Sequence, residues 1–231
     1  AAFFNFVAAF GMGVYVADTI AKGIVDVAKI ESLFSTAAPG DDVQFFLTMV
    51  VLAGLTGAIV WNLITWRFGL PISCSHSLIG GFVGSALTAV YVKFHVLGGF
   101  MDWEKIDTII LFIVVAPVIG MALGFINMVI VMWLFRHAAP HRIDSWFRRL
   151  QLVSAAAYSL GHGTNDAQKT MGIIAFLLMG AGYMSQDASV PYWVILSCHA
   201  AIALGTLSGG WRIVKTMGLG ITKLRPVGGF C

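Results

Sequence analysis

Long apolar stretches alternate with short polar connections along this chain. A helix that spans a bilayer needs roughly 20 mostly apolar residues. Stretches of that kind recur along the sequence, and we refer to them as segments A to F: Ala1–Ile20, Phe45–Trp66, Ser77–Val96, Ile109–Phe135, Gln151–Tyr183 and Tyr192–Val214. The pattern therefore predicts an all-α, polytopic membrane protein with about six transmembrane helices.

The charges in the connections predict how the chain crosses the membrane. The D–E connection carries four arginines against Asp144, the stretch after segment F is basic, and the B–C corner holds Arg67 without an acid. Basic connections lie on the cytoplasmic side of a membrane. The A–B and C–D connections hold most of the acidic residues and are expected on the opposite side, so the charges and the crossings predict one orientation.

The composition limits the classes of binding partner that we expect for the chain. Hydrophobic residues make up 58% of it and charged residues 11%, against about 25% charged residues in soluble domains, so the lipid bilayer is the expected solvent. The sequence lacks a basic run interleaved with aromatic residues, which argues against nucleic acid. Cys74, Cys198 and Cys231 are scattered, which predicts neither a disulfide nor a metal site.

A polar run, GHGTND, interrupts segment E. Irregular backbone that faces lipid costs several kcal/mol per unpaired group, so this run is expected to be buried in protein or to line a cavity. We expect Gly161 and Gly163 to unwind the helix. Thr164 or Asn165 would then cap a new half-helix that begins near Asp166, and the N–H groups of its first turn would bind an anion.

Two interpretations apply to the charged residues of this run. Asp166, Lys169 and Thr170 share one helix face. The charges either form an ion pair that only makes their burial tolerable, or they mark a transport pathway, as intramembrane ionisable groups usually do. The two interpretations are compatible.

A second interruption lies between segments B and C, in FGLPISCSHSLIGGFVGSAL. Pro71 ends the preceding helix, and Ser73 or Ser75 can cap the next one. His76 and Ser77 then lie at the same helix entrance. Small residues four apart follow it, which favours close helix packing: Ser77 with Gly81, and Gly80 with Gly84. The segment is either a packing seam or half of a site, and the polar run in segment E favours the site.

These motifs resemble those of the inorganic phosphate transporter (PiT) family. GTNDAQKTMG resembles its second-repeat signature in the bacterial low-affinity form, GLPISCSHSLIGG resembles its first-repeat motif, and WNLITWRFGLP also fits the bacterial members. The resemblance covers nearly all of the chain. One departure is Cys74, which stands where the family has a hydroxyl residue, so a donor is lost there.

The resemblance implies two inverted repeats. Residues 1–135 would be the remainder of the first repeat, with four membrane segments and the Ser-Cys-Ser-His motif. Residues 136–150 would form a cytoplasmic basic loop, and residues 151–231 would start the second repeat. The family's other two motifs are expected before Ala1 and after Cys231, so we expect this chain to be the central portion of a longer protein.

The resemblance also implies a function, namely a multi-pass symporter of the cell (inner) membrane. It would import inorganic phosphate, free or as a metal–phosphate complex, together with H⁺ or Na⁺. No cofactor is expected, and a homodimer is left open. The expected phosphate ligands are Ser73, Ser75, Ser77, Thr164, Asn165 and Gln168; Asp166 would hold the coupling cation, and Lys169 would balance charge or attract phosphate.

The sequence also suggests two rival functions. A passive anion channel or a non-transporting membrane subunit is the more serious alternative, and it would lack coupling to an ion gradient. An intramembrane hydrolase built on Ser75, His76 and Asp166 is disfavoured, because neighbouring residues on a helix diverge and the sequence has no GxSxG-type elbow. We therefore do not expect an enzyme.

Overall fold

The computed structural model describes residues 1–11, 17, 24–185, 188–221 and 225–231. The second half of segment A lies largely outside these residues. A 3₁₀ turn (Ala8–Phe10) follows the first helix, and a π-helical turn (Thr216–Ile221) follows the seventh. The α-helices in chain order are α1 (Ala2–Val7), α2 (Val27–Ala37), α3 (Val43–Phe68), α4 (Cys74–Phe94), α5 (Trp103–Leu134), α6 (Pro140–Gly180), α7 (Tyr192–Lys215) and α8 (Pro226–Phe230).

The all-α fold expected from the sequence is confirmed. Over the described ranges, pairing of the β type is limited to an isolated antiparallel bridge between Val25 and Met101. Among the described residues, four helices are long and apolar enough to cross a membrane: Val43–Phe68, Cys74–Phe94, Trp103–Leu134 and Tyr192–Trp211. These correspond to segments B, C, D and F. Segment E is also a single long helix, but its central polar residues keep it out of this apolar group.

The apolar helices α3, α4 and α5 begin at side-chain caps. The Asp42 carboxylate accepts the first N–H groups of α3, and the Ser73 hydroxyl oxygen accepts the N–H of His76 at 3.3 Å, so Ser73 is the cap of α4. Asp102 caps α5, and hydrogen bonds from the side chain and backbone of Lys105 hold the pKa of Asp102 below its ordinary value. This cap therefore stabilises the fold above the unfolded pKa and is lost as the pH falls through the lowered one.

The connection expected as a basic loop, residues 136–150, is helical from Pro140 onward. Helix α6 begins at Pro140 and runs for 41 residues, about 60 Å at 1.5 Å per residue, twice the roughly 30 Å of a bilayer core. Its first turns bury Phe147, whose ring packs against Phe135 and Phe230 at 5.4 and 5.2 Å. An Arg148–Asp144 ion pair at 2.9 Å lies on its exposed side. This amphipathic start explains why a charged segment forms a helix here.

Helices α3 and α4 pack through glycine. A Cβ atom added to Gly81 would lie 2.5 Å from the carbonyl oxygen of Gly54, and one added to Gly54 would lie 2.8 Å from the Ser85 hydroxyl. Gly80 and Gly84 meet nothing within 4 Å. The small-residue seam expected after Ser77 is therefore present, and it uses the face that contains Gly81.

Helix α4 is joined to α6 by a core of buried apolar side chains. The rings of Phe82 and Phe176 meet edge to face at 5.5 Å, and Val90, Ala167 and Met171 belong to the same cluster. This packing sets the first turn of α4 beside the middle of α6. The two polar interruptions of the sequence therefore lie on neighbouring helices.

We expect Gly81→Ala to lower stability, because its new methyl group would overlap the backbone of α3. Overpacking of this kind typically costs about 1–3 kcal/mol. The matched control is Gly80→Ala, whose methyl group would enter open space. The measurement is the unfolding temperature of the purified protein in detergent. Equal unfolding temperatures for the two variants would contradict the close α3–α4 contact.

Candidate functional site

Helix α6 runs through the polar motif without a break, which corrects the expected interruption of segment E. All residues from Ser159 to Thr170 are helical. The Ser159 hydroxyl donates to the carbonyl of Ala155 at 2.7 Å, and the Thr164 hydroxyl donates to that of Leu160 at 2.8 Å. Both hydroxyls thus bond back to the preceding turn. Thr164 and Asn165 cap no half-helix, and no helix N-terminus is presented at Asp166.

The two glycines of the motif have different roles from the expected one. A Cβ atom on Gly163 would lie 2.7 Å from the Cα atom of Asn5, whereas one on Gly161 would meet nothing within 4 Å. Gly163 therefore allows α1 to cross α6 closely. The Asn5 amide nitrogen in turn donates to the Thr206 hydroxyl at 3.1 Å, which links α1 to α7.

The two motifs meet at three side chains. The Ser75 hydroxyl donates to Oδ1 of Asp166 at 3.3 Å, and the Lys169 ammonium donates to the same oxygen at 2.8 Å. Lys169 also donates to the Ser75 hydroxyl oxygen. Ser75 is the second residue of α4, so the expected approach of the α4 entrance to Asp166 is confirmed. We call Ser75, Asp166 and Lys169 the bridging cluster.

The bridging cluster is electrically balanced. The side chains of Asp166 and Lys169 are 26% and 22% exposed, so both charges are largely withdrawn from solvent. A lone carboxylate near the bilayer centre costs on the order of 3 kcal/mol on insertion scales. The pair cancels its own charge, and Ser75 adds a hydrogen bond to it. The charge of Asp166 is thus compensated by Lys169 and by the Ser75 hydroxyl.

Four of the other expected phosphate ligands fall into two groups. Ser73 and Ser77 share the first turn of α4 with Ser75, and the Ser77 hydroxyl donates to the Ser73 carbonyl at 3.2 Å. Thr164 and Gln168 are buried, 7% and 5% exposed. At about 100° per residue they lie about 160° around the helix from Asp166. The uninterrupted helix keeps these two side chains away from the cluster.

Asn165 differs from Thr164 and Gln168 in its exposure. It is exposed, and it shares a helix face with Lys169, four residues on. The structure brings Ser75, Asp166 and Lys169 into contact and places Ser73 and Ser77 nearby.

A histidine that the sequence reasoning passed over borders the cluster. His162 Nδ1 lies 3.5 Å from Oδ2 of Asp166, and its ring stacks on Tyr158 with 6.0 Å between centroids. The signal was present in the sequence, because His162 and Asp166 are four residues apart and share a helix face. The carboxylate thus has Lys169 and Ser75 on one oxygen and His162 beside the other.

Apolar helices around a partly buried ion pair define a multi-pass α-helical membrane protein with a polar site among its helices. The chain belongs to the phosphate transporter family, whose profile matches residues 1–144 and 135–231. The two matched stretches overlap in the basic segment where α6 begins.

Individual relatives agree with this family. The chain is 49% identical to a probable low-affinity inorganic phosphate transporter of Rhizobium meliloti (strain 1021), over 100% of the chain and 63% of the relative. It is 42% identical to one of Mycobacterium tuberculosis (strain ATCC 25618 / H37Rv), over 96% and 48%. The chain thus spans about half to two thirds of the length of these relatives. The family confirms that this is not an enzyme.

A solved structure supports the fold. The structure described as the sodium-dependent phosphate transporter superposes with a TM-score of 0.76, over 99% of this chain and 70% of that one, at 23% sequence identity. The helices of this chain therefore share the fold of that structure.

Alanine at the two glycines of the motif distinguishes a helix crossing from a helix break. Gly163→Ala should destabilise the protein by about 1–3 kcal/mol, because the methyl group would overlap Asn5. Gly161→Ala should stabilise it by up to about 1 kcal/mol, since alanine favours a continuous helix. Both are measured by thermal unfolding in detergent. Destabilisation by Gly161→Ala would contradict the continuous helix.

Proposed function

We propose that this chain supplies part of a secondary active symporter that imports inorganic phosphate with H⁺ or Na⁺ across the cell membrane. The relatives are described as phosphate transporters, and the bridging cluster is the observation that carries the proposal. It joins an anion-binding group, a cation-binding group and a hydroxyl at the contact between two motifs. A homodimer and a metal–phosphate substrate stay proposals.

The donors of the cluster suit a phosphate oxygen. The Lys169 ammonium and the Ser75 hydroxyl converge on Oδ1 of Asp166, which occupies the place that an incoming oxyanion would take. The first N–H groups of α4 lack partners within the helix, and a helix N-terminus favours an anion. The hydroxyls of Ser73 and Ser77 lie in the same turn. We therefore assign Ser73, Ser75, Ser77 and Lys169 to phosphate.

Release of Asp166 from Lys169 prepares it for a cation. In this mechanism phosphate takes over Lys169 and Ser75, and the freed carboxylate then carries an uncompensated charge among apolar helices. Such a charge is costly until a cation joins it. Binding of either ion opens the same ion pair, so the first ion to bind reduces the cost of binding the second. This is a positive coupling free energy between the two sites, as symport requires.

The remaining assignments need a change in α6. Thr164 and Gln168 can reach a phosphate held by Ser75 only if the helix turns or opens, because they lie on its opposite side. Asn165 needs a smaller rotation. We retain these three residues as phosphate ligands of a second conformation, which alternating access between the two membrane faces would supply.

The test of the proposal is Asp166→Asn in the full-length protein, reconstituted into liposomes with imposed proton or sodium gradients. We expect at least tenfold less gradient-driven phosphate accumulation, since a charge-assisted contact is worth about 1.5–3 kcal/mol and each 1.4 kcal/mol is tenfold. The matched control is Asp144→Asn, which removes an exposed ion pair with Arg148 from the same helix. It should leave accumulation unchanged.

A double variant separates coupling from simple charge pairing. Asp166→Asn with Lys169→Gln removes both charges and strands neither of them. We expect the folded double variant to be inactive, because it lacks both the cation site and the phosphate ligand Lys169. Full accumulation by it would refute the coupling role. If the unmodified protein itself takes up phosphate without responding to either gradient, the passive channel is the correct function. No uptake at all would favour the non-transporting subunit.

A further inference from the structure

A groove separate from the bridging cluster lies where the C-terminal ends of α3 and α7 meet. Its volume is about 560 Å³, and Trp66, Arg67, Ser208, Trp211 and Lys215 are among the residues that line it. The Trp66 indole N–H donates to the carbonyl of Gly209 at 3.1 Å and fastens the two helices together. None of the lining residues belongs to the cluster.

The groove is suited to an anion. Arg67 and Lys215 both line it, and none of its lining residues is acidic. Arg67 is in the last turn of α3 and Lys215 is the last residue of α7. Both lie at helix ends that the positive-inside rule places at the cytoplasmic face. Two basic side chains therefore line one groove at the same membrane boundary.

Tryptophan and leucine extend the groove towards lipid. Trp211 is 76% exposed, as is typical of indoles at the membrane–water boundary. One turn deeper along each helix stands an exposed leucine: Leu63 is four residues before Arg67, and Leu204 is four residues before Ser208. These pairs share helix faces. The basic groove therefore continues into apolar surface on both helices.

We propose that this groove binds the phosphate head group of an anionic phospholipid of the cytoplasmic leaflet. Arg67 and Lys215 hold the phosphate oxygens, and the acyl chains lie along the faces that carry Leu63 and Leu204. Basic pockets between membrane helices on this side select anionic lipids by the same chemistry. Inorganic phosphate offers the same oxygens, but it would leave the adjoining apolar faces uncovered. The lipid also clamps α3 to α7 beside the Trp66–Gly209 bond.

The test measures lipid retention by the full-length protein in detergent, by native mass spectrometry with phosphatidylglycerol or phosphatidylcholine. We expect phosphatidylglycerol to be retained preferentially. Arg67→Gln with Lys215→Gln should weaken its retention at least tenfold, since each basic residue contributes to head-group attraction. The control is Arg148→Gln with Arg149→Gln, which removes two charges of the basic segment outside the groove and should leave retention unchanged.

Further outcomes decide between lipid and free anion. Equal retention of the two lipids, or equal loss in both double variants, would overturn the proposal. Displacement of phosphatidylglycerol by millimolar inorganic phosphate would assign the groove to the free anion and also overturn it. Lys215→Gln alone serves if the double variant does not fold, because Lys215 is exposed; its retention should fall severalfold, and unchanged retention would contradict the proposal. None of these readouts depends on transport activity.

Discussion

The ion pair between Asp166 and Lys169 is the constraint that shapes the centre of this protein. Two ionised groups on a helix surrounded by apolar helices are tolerable only as partners. The i, i+3 spacing lets one helix supply both, without a charge from a neighbouring segment. Because the pair is locally neutral, the helix opposite needs to offer only a hydroxyl, and Ser75 at the start of α4 does so.

This neutrality also explains why α6 stays helical through its polar run. The sequence suggested a break because glycine, threonine and asparagine stand together, and irregular backbone would then have needed a cavity. In the structure Thr164 and Gly163 make contacts that leave the helical bonds intact. The Thr164 hydroxyl donates a hydrogen bond to the Leu160 carbonyl, and the backbone of Asn5 packs closely against Gly163. The difference between Gly161 and Gly163 is a tertiary contact, which neighbouring residues cannot reveal.

Features set by local chemistry were predictable from the sequence. Apolar length identified α3, α4, α5 and α7, and a serine after Pro71 was expected to cap α4, as Ser73 does. The juxtaposition of Ser75 with Asp166 was also predictable, because polar groups among apolar helices require polar partners. Helix formation at residues 140–150 was not, since its cause is burial of Phe147 against Phe135 and Phe230. Phe230 comes from a distant part of the chain, and Phe135 lies before the turn that precedes α6.

Depth in the membrane accounts for the different charge arrangements of the bridging cluster and the groove. Between apolar helices, where the dielectric constant is low, an uncompensated cation is expensive; Lys169 is accordingly held by Asp166. At the ends of α3 and α7, water and head groups screen charge, so Arg67 and Lys215 can share a groove without an acid. In the proposed transport, a site with cancelled charges exchanges its phosphate readily. In the proposed lipid site, two added charges retain the head group.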